Sequence, residues 1–113
     1  MKNNPKISVC IPVFGTENVL ERCLLSVAEQ DFDAFEVIVV NDASNTTDTK
    51  NRNVKKICNH VLKQHKIPYK YIEHRENLGL VETRRDAVLK ARGEYIFCID
   101  SDDYLNCPSA LSV

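Results

Sequence analysis

A chain of 113 residues is long enough for one domain with a proper core and too short for two. With 43% hydrophobic and 27% charged residues, and only 3 Gly and 4 Pro, it is neither disordered nor fibrous. The net charge of -1, from 15 Lys and Arg against 16 Asp and Glu, excludes a global field drawing in nucleic acid or anionic lipid, so an anionic ligand must be recognised locally.

The polar start Lys2-Asn3-Asn4-Pro5 does not read as a signal peptide, and no run of about 18 apolar residues offers a membrane span. The expected location is cytoplasmic, with a peripheral position at the inner face of the membrane as the other option. Five widely spaced cysteines without a Cys-x-x-Cys pair read as small buried hydrophobes in a reducing compartment.

Ile7-Ser8-Val9-Cys10-Ile11, closed by Pro12, predicts a buried first strand, and Val13-Phe14-Gly15-Thr16 turns the chain. Val19, Leu20, Cys23, Leu24, Val27 and Ala28 recur at helical spacing, with Asn18 and Glu21 as a capping-box-like start and an end near Gln30. Glu36-Val37-Ile38-Val39-Val40 is continuously apolar after its first residue, as in a parallel strand covered on both faces, and stops at the polar loop Asn41–Asn45. A second helix places Val54, Ile57, Cys58, Val61 and Leu62 on one face, and Pro68 ends the segment.

Tyr69–Glu73 reads as a more exposed third strand, followed by a loop through Gly79. Leu80, Val81, Arg84, Ala87, Val88 and Ala91 mark a third helical face, with Gly93 as its C-terminal stop. Tyr95-Ile96-Phe97-Cys98-Ile99 then predicts a buried fourth strand running into Asp100-Ser101-Asp102-Asp103. The order βαβαβαβ with short connections predicts an α/β fold in three layers around a mostly parallel sheet. Ligands of such sheets sit at the carboxyl ends of the strands, where the strand order reverses.

Three groups of residues meet that edge. Asp100, Asp102 and Asp103 offer oxygen ligands suited to Mg²⁺ or Mn²⁺, or else form an acidic turn. Asp42 can accept from a base imide or ribose hydroxyl, or serve only the turn in which it lies. Arg84 and Arg85, at the start of the third helix, can clamp a diphosphate, or pair with Glu82 or Asp86. His60, His65 and His74 have no ligand spacing and read as surface or loop residues. No Gly-x-Gly-x-x-Gly, Gly-Lys-Ser/Thr or nucleophile-elbow motif is present, which disfavours a classical dinucleotide fold, a P-loop NTPase and an α/β-hydrolase.

Taken in order, Ile7–Phe14, Leu20–Val27 with Gln30, Phe35–Ser44, Glu76-Asn77-Leu78-Gly79, Thr83-Arg84 and Gly93–Ile96 leading to Asp100-Ser101-Asp102-Asp103 resemble the N-terminal half of family 2 glycosyltransferases of the GT-A fold. The resemblance covers essentially the whole chain. It implies a single domain over residues 1–113 that binds a nucleotide-diphosphate sugar, with uridine the usual nucleoside. In that family the positions of Pro12, Val13 and Phe14 pack about the nucleoside, that of Asp42 reads the base, and that of Arg84 lies near base and diphosphate. Those of Asp100 and Ser101 meet the ribose, and that of Asp102, with Asp100 as a second candidate, holds a Mn²⁺ or Mg²⁺ ion. The implied reaction is inverting, metal-dependent sugar transfer to a glycan or lipid-linked acceptor.

Three positions depart from the family pattern. Asn41-Asp42-Ala43-Ser44 stands where Asp-Asp-Gly-Ser is usual, Phe14-Gly15 where Tyr-Asn is common, and Thr83-Arg84-Arg85 where Ala-Arg-Asn is common. Family members also continue for another hundred residues or more, a region expected to carry the acceptor site and the catalytic base. The alternative expectation is therefore an inactive nucleotide-binding or interaction module. An open sheet edge is a candidate surface for homodimerisation.

Overall fold

The computed structural model describes residues 5–106 and 110–112. The first strand, β1, spans Ile7–Val13 and is longer than its pattern implies, because Pro12 lies inside it. The proline is tolerated because β1 pairs on one side only as far as Cys10, while the other side stays paired through Val13. Helix α1 covers Glu17–Ala28. It does not start with the expected Asn18–Glu21 box: Thr16 is the N-cap, and its side chain makes no capping bond. All seven residues of β2, Phe35–Asn41, are buried, as a strand covered on both faces requires.

Helix α2, Val54–Cys58, starts at Asn53, whose side chain accepts from the Lys56 N–H, and runs on into a π-helical turn at Asn59–Lys63. All five apolar residues of its predicted face are buried. Arg52 ties the loop before it to α1, with Nη2 at 2.7 Å from Glu21 and 2.6 Å from Asp48. Strand β3 is Tyr69–Glu73, helix α3 is Leu80–Lys90, and strand β4 is Tyr95–Cys98. A 3₁₀ turn follows at Ala110–Ser112.

The four strands form one parallel sheet in the order β3-β2-β1-β4. The chain steps outward from β1 to β3, then crosses back to the other side of β1, so the order reverses between β1 and β4. The larger core lies between the sheet and the α1–α2 face, where Val9, Ile11, Val37 and Val39 meet Leu20, Leu24, Ile57 and Leu62. A smaller one, of Cys10, Ile38, Val40 and Ala87, lies under α3.

Three sequence expectations are corrected here. Strand β4 is not buried: all four of its residues are exposed, because it is the edge strand and no described strand pairs with its far side. Cys98 is therefore exposed, whereas burial pushes the thiols of Cys10, Cys23 and Cys58 up to about 12. Cys107 lies outside the described residues. On α3 only Thr83 and Ala87 are buried, while Leu80, Val81, Val88 and Leu89 are exposed, because the helix approaches the sheet along its small residues.

Gly93 is not a left-handed helix stop either. Helix α3 ends at Ala91 in extended conformation, and Gly93 lies where a Cβ would come within 2.7 Å of the Ser8 backbone N and 2.8 Å of the Ile7 carbonyl carbon. Its N–H donates to Ser8 Oγ at 2.8 Å, and Ser8 donates to the buried Glu36 at 2.6 Å. Gly93→Ala is expected to destabilise the chain by roughly 2 kcal/mol through this backbone clash, measured by urea denaturation. An unchanged midpoint would mean that β1 can move aside.

Candidate functional site

The loops after β1, β2 and β4 converge at the carboxyl edge of the sheet, beside the point where the strand order reverses. With the start of α3 they enclose a cleft of about 360 Å³. Pro12, Val13, Phe14, Asp42, Asp100, Ser101 and Asp102 all line it. Phe14 and Leu80, each more than half exposed, give it apolar walls. A larger groove of about 930 Å³, between α1 and Tyr104–Asn106, includes none of these sheet-edge residues.

Helix α1 holds the acidic loop from outside. Thr16, whose side chain makes no capping bond, shares a 2.6 Å hydrogen bond with Ser101 Oγ. Arg22 donates to the Asp102 carbonyl at 3.0 Å and lies over the Tyr104 ring at 4.5 Å. Ser26, one turn further on, accepts from the Leu105 N–H at 3.0 Å. The loop closes a tight turn through the Asp103 N–H and the Asp100 carbonyl, leaving Asp102 and Asp103 exposed and Ser101 buried. Asp100, Asp102 and Asp103 each offer a carboxylate oxygen, and these lie within 4.8 Å of one another. Such a donor set fits a hard divalent cation, which takes oxygen ligands and offsets their mutual repulsion.

Asp42 is only 3% exposed, and both its carboxylate oxygens are occupied. Oδ1 takes the Leu78 N–H at 2.8 Å and His74 Nδ1 at 2.7 Å, and Oδ2 takes the Gly79 N–H and Asn77 Nδ2 at 2.9 Å each. Burial alone would raise its pKa, but the bonds from His74, Leu78 and Gly79 outweigh it and hold the carboxyl below the usual range. Asp42 thus ties the Asn77–Gly79 loop to the end of β2.

His74 reads in the sequence as a surface or loop residue, and it does lie in the loop after β3, but its side chain is only 8% exposed, with Nε2 at 2.6 Å from Asp86 in addition to the Asp42 contact. The hydrogen bond to Asp42 raises its pKa, burial opposes this, and the bond to Asp86 adds to the rise. The stability His74 contributes is complete below its ordinary value of about 6.5 and is lost as pH rises through the raised folded value. The contribution of Asp42 is present above the ordinary carboxylate range and is lost as pH falls through its depressed value. Denaturation midpoints should therefore peak in the weakly acidic range, and a midpoint that does not fall between about pH 6 and pH 9 would contradict the His74 assignment.

The two arginines separate. Arg84 pairs with Asp100, Nη2 to Oδ1 at 2.9 Å, and its buried Nε has no acceptor among the described residues. Arg85 lies 3.7 Å from Glu82 on the exposed side of α3. Glu17, which no motif singled out, is buried in the first turn of α1, where it accepts from Ser44 Oγ and from Thr46 Oγ1, the latter at 2.6 Å. Asn77 and Thr83 lay within quoted motifs without an assigned role. The one signal for His74 was its position directly after β3, on the same sheet edge as Asp42.

Residues 8–108 match the family described as Glycosyl transferase family 2. This chain belongs to that family. It is 38% identical over 101 residues to the glycosyltransferase GlyA of Streptococcus pneumoniae, covering 88% of this chain and 13% of that protein. It is also 38% identical over 104 residues to the poly(ribitol-phosphate) beta-N-acetylglucosaminyltransferase TarS of Staphylococcus aureus, covering 89% and 17%. The crystal structure of TarS 1-349 in complex with UDP matches with a TM-score of 0.82 at 31% identity, over 95% of this chain and 30% of that one. The mannosyltransferase PcManGT of Pyrobaculum calidifontis, in complex with GDP-Man and Mn²⁺, shares the fold with a TM-score of 0.80 at 23% identity, over 94% and 30%. The sheet and helices are therefore those of a GT-A fold, and the chain spans a minor part of the length of each of these relatives. Among the described residues no helix is long and apolar enough to cross a membrane.

Proposed function

We propose that residues 1–113 are the donor-binding unit of an inverting, metal-dependent glycosyltransferase that uses a UDP-sugar. The observation that carries this reading is the convergence of three strand-end loops on one cleft, acidic at Asp100–Asp103 and apolar at Pro12, Phe14 and Leu80. The relatives' names and the UDP-bound neighbour support the substrate class.

The base lies between Phe14 and Leu80 and against Pro12 and Val13. Asp42, held by the Asn77–Gly79 loop, sets the far wall of this pocket. The ribose meets Asp100 and Ser101. Asp102, with Asp100 beside it, would hold Mg²⁺ or Mn²⁺, which supplies charge neutralisation for the departing diphosphate. Arg84, paired with Asp100 at 2.9 Å, adds a cation beside the acidic loop, near the diphosphate. In the displacement the acceptor oxygen bonds to the anomeric carbon as the bond to the diphosphate oxygen breaks, and that bond's electron pair leaves with the diphosphate. We assign no residue of this chain to deprotonating the acceptor, a glycan or lipid-linked hydroxyl.

Calorimetric titration with UDP, with and without Mn²⁺, tests the reading. Metal-dependent heat is the expected result, and its absence for UDP, UDP-sugars and GDP in a protein shown to be folded would overturn it.

A further inference from the structure

Two ring nitrogens and two carboxylates define the least expected cluster in the molecule. His74 Nδ1 lies 2.7 Å from Asp42 Oδ1, and Nε2 lies 2.6 Å from Asp86 Oδ2. An ionised carboxylate only accepts, so each ring nitrogen must donate, and an imidazole that donates from both nitrogens is an imidazolium. A neutral ring would set a lone pair against a carboxylate oxygen at one end.

The three groups come from three elements. Asp42 follows β2, His74 follows β3, and Asp86 lies on α3. The His74 N–H also donates to the Asn41 carbonyl at 2.9 Å, which fixes the ring's own backbone to the end of β2. Of the charged residues beside it in sequence, Glu73 accepts from the Tyr71 hydroxyl at 2.8 Å and Arg75 is exposed, so Asp42 and Asp86 are the ionisable groups that face the ring. Asp42 in turn carries the Leu78 and Gly79 N–H groups, and Gly79, Leu80 and Thr83 line the cleft.

We propose that His74 is a positioning residue for the nucleoside: as a cation held between Asp42 and Asp86, it fixes the Asn77–Gly79 wall and, through Asp86, the second turn of α3, and its protonation sets how well the pocket fits uridine. The effect on uridine rests on the reading of the cleft given under Proposed function. The fixing of the wall does not. Loss of the ring proton would remove the charge from both ion pairs, keep a single N–H···O hydrogen bond and leave a lone pair facing the other carboxylate. The wall would then loosen while the acidic loop, held separately by Thr16, Arg22 and Ser26, stays in place.

The test combines nitrogen NMR of the His74 ring, hydrogen exchange at the Leu78 and Gly79 amides, and UDP affinity in Mn²⁺ from about pH 6 to about pH 9, for the 113-residue chain and for His74→Gln. The ring is expected to carry both protons at neutral pH. In His74→Gln the two amides should exchange at least tenfold faster, UDP affinity should fall about tenfold, and pyrophosphate affinity should change less than twofold. The wild-type UDP affinity should decline as His74 deprotonates, whereas the variant's profile should keep only the nucleotide's own titration. A singly protonated ring at neutral pH, or unchanged amide exchange in the variant, would overturn the proposal, and the ring measurement decides even if the variant fails to fold. Wild-type protein that binds no nucleotide would overturn the nucleoside role and the functional reading together, whereas a normal UDP titration with a neutral ring would overturn the His74 assignment alone.

Discussion

Asp102→Ala is expected to reduce UDP affinity in the presence of Mn²⁺ by about a hundredfold, close to 2.7 kcal/mol, and to leave the residual affinity insensitive to chelator. The size follows from what the side chain does in the folded chain. Its carboxylate is exposed and makes no hydrogen bond within the described residues, while its backbone carbonyl, which the substitution keeps, takes the Arg22 bond. Removal should therefore change stability by less than about 0.5 kcal/mol, so that a loss of binding cannot be ascribed to unfolding. Asp100→Ala makes a less clean comparison because it also releases Arg84 from its 2.9 Å ion pair. Calorimetry with UDP across a Mn²⁺ series, with a parallel series in chelator, measures both effects. An Asp102→Ala protein with an undiminished Mn²⁺ dependence would move the cation away from this loop.

Asp42→Ala should have the opposite signature, with a loss of about 3–5 kcal/mol in stability. The substitution strips the partners from two backbone N–H groups, the Asn77 amide and the His74 ring at once, and leaves an imidazolium beside Asp86 alone. Asp42→Asn keeps the shape and an acceptor oxygen but removes the charge, so it should recover part of the loss. Urea denaturation gives the stabilities. In whatever fraction stays folded, uridine affinity should fall more than pyrophosphate affinity, because the damaged wall faces the base and the acidic loop has its own supports. Equal stability of the Ala variant and the wild type would mean that the Asn77–Gly79 loop is held by something other than this carboxylate.

The difference between the two acids bears on how a sequence reveals a site. Both were legible as carboxylates at strand ends, and the placement of both at one cleft agrees with that reading. Asp102 is exposed, so its position alone describes its surroundings. Asp42 carries bonds to residues 32 to 37 positions away, and no spacing rule reaches across that interval. The same holds for His74, which lacked any ligand spacing because its two partners sit on different elements. Thr16 reads as part of a turn, and its bond to Ser101, 85 positions away, arises only once the β4 loop packs beside the start of α1.

From the sequence alone came the order of strands and helices, the parallel sheet, the burial of β2 and of the α2 face, and the strand ends that carry polar loops. Each is a local property: burial repeats with the period of the element, and turn residues mark where it stops. The tertiary structure decided which side of β1 receives β4, and with it the exposure of Tyr95 to Cys98, the close approach that makes Gly93 necessary, and the protonation of His74. These depend on distances between segments far apart in the chain. Periodicity records which face of an element is covered, but the identity of what covers it, and the charge it carries, exists only once the elements have packed.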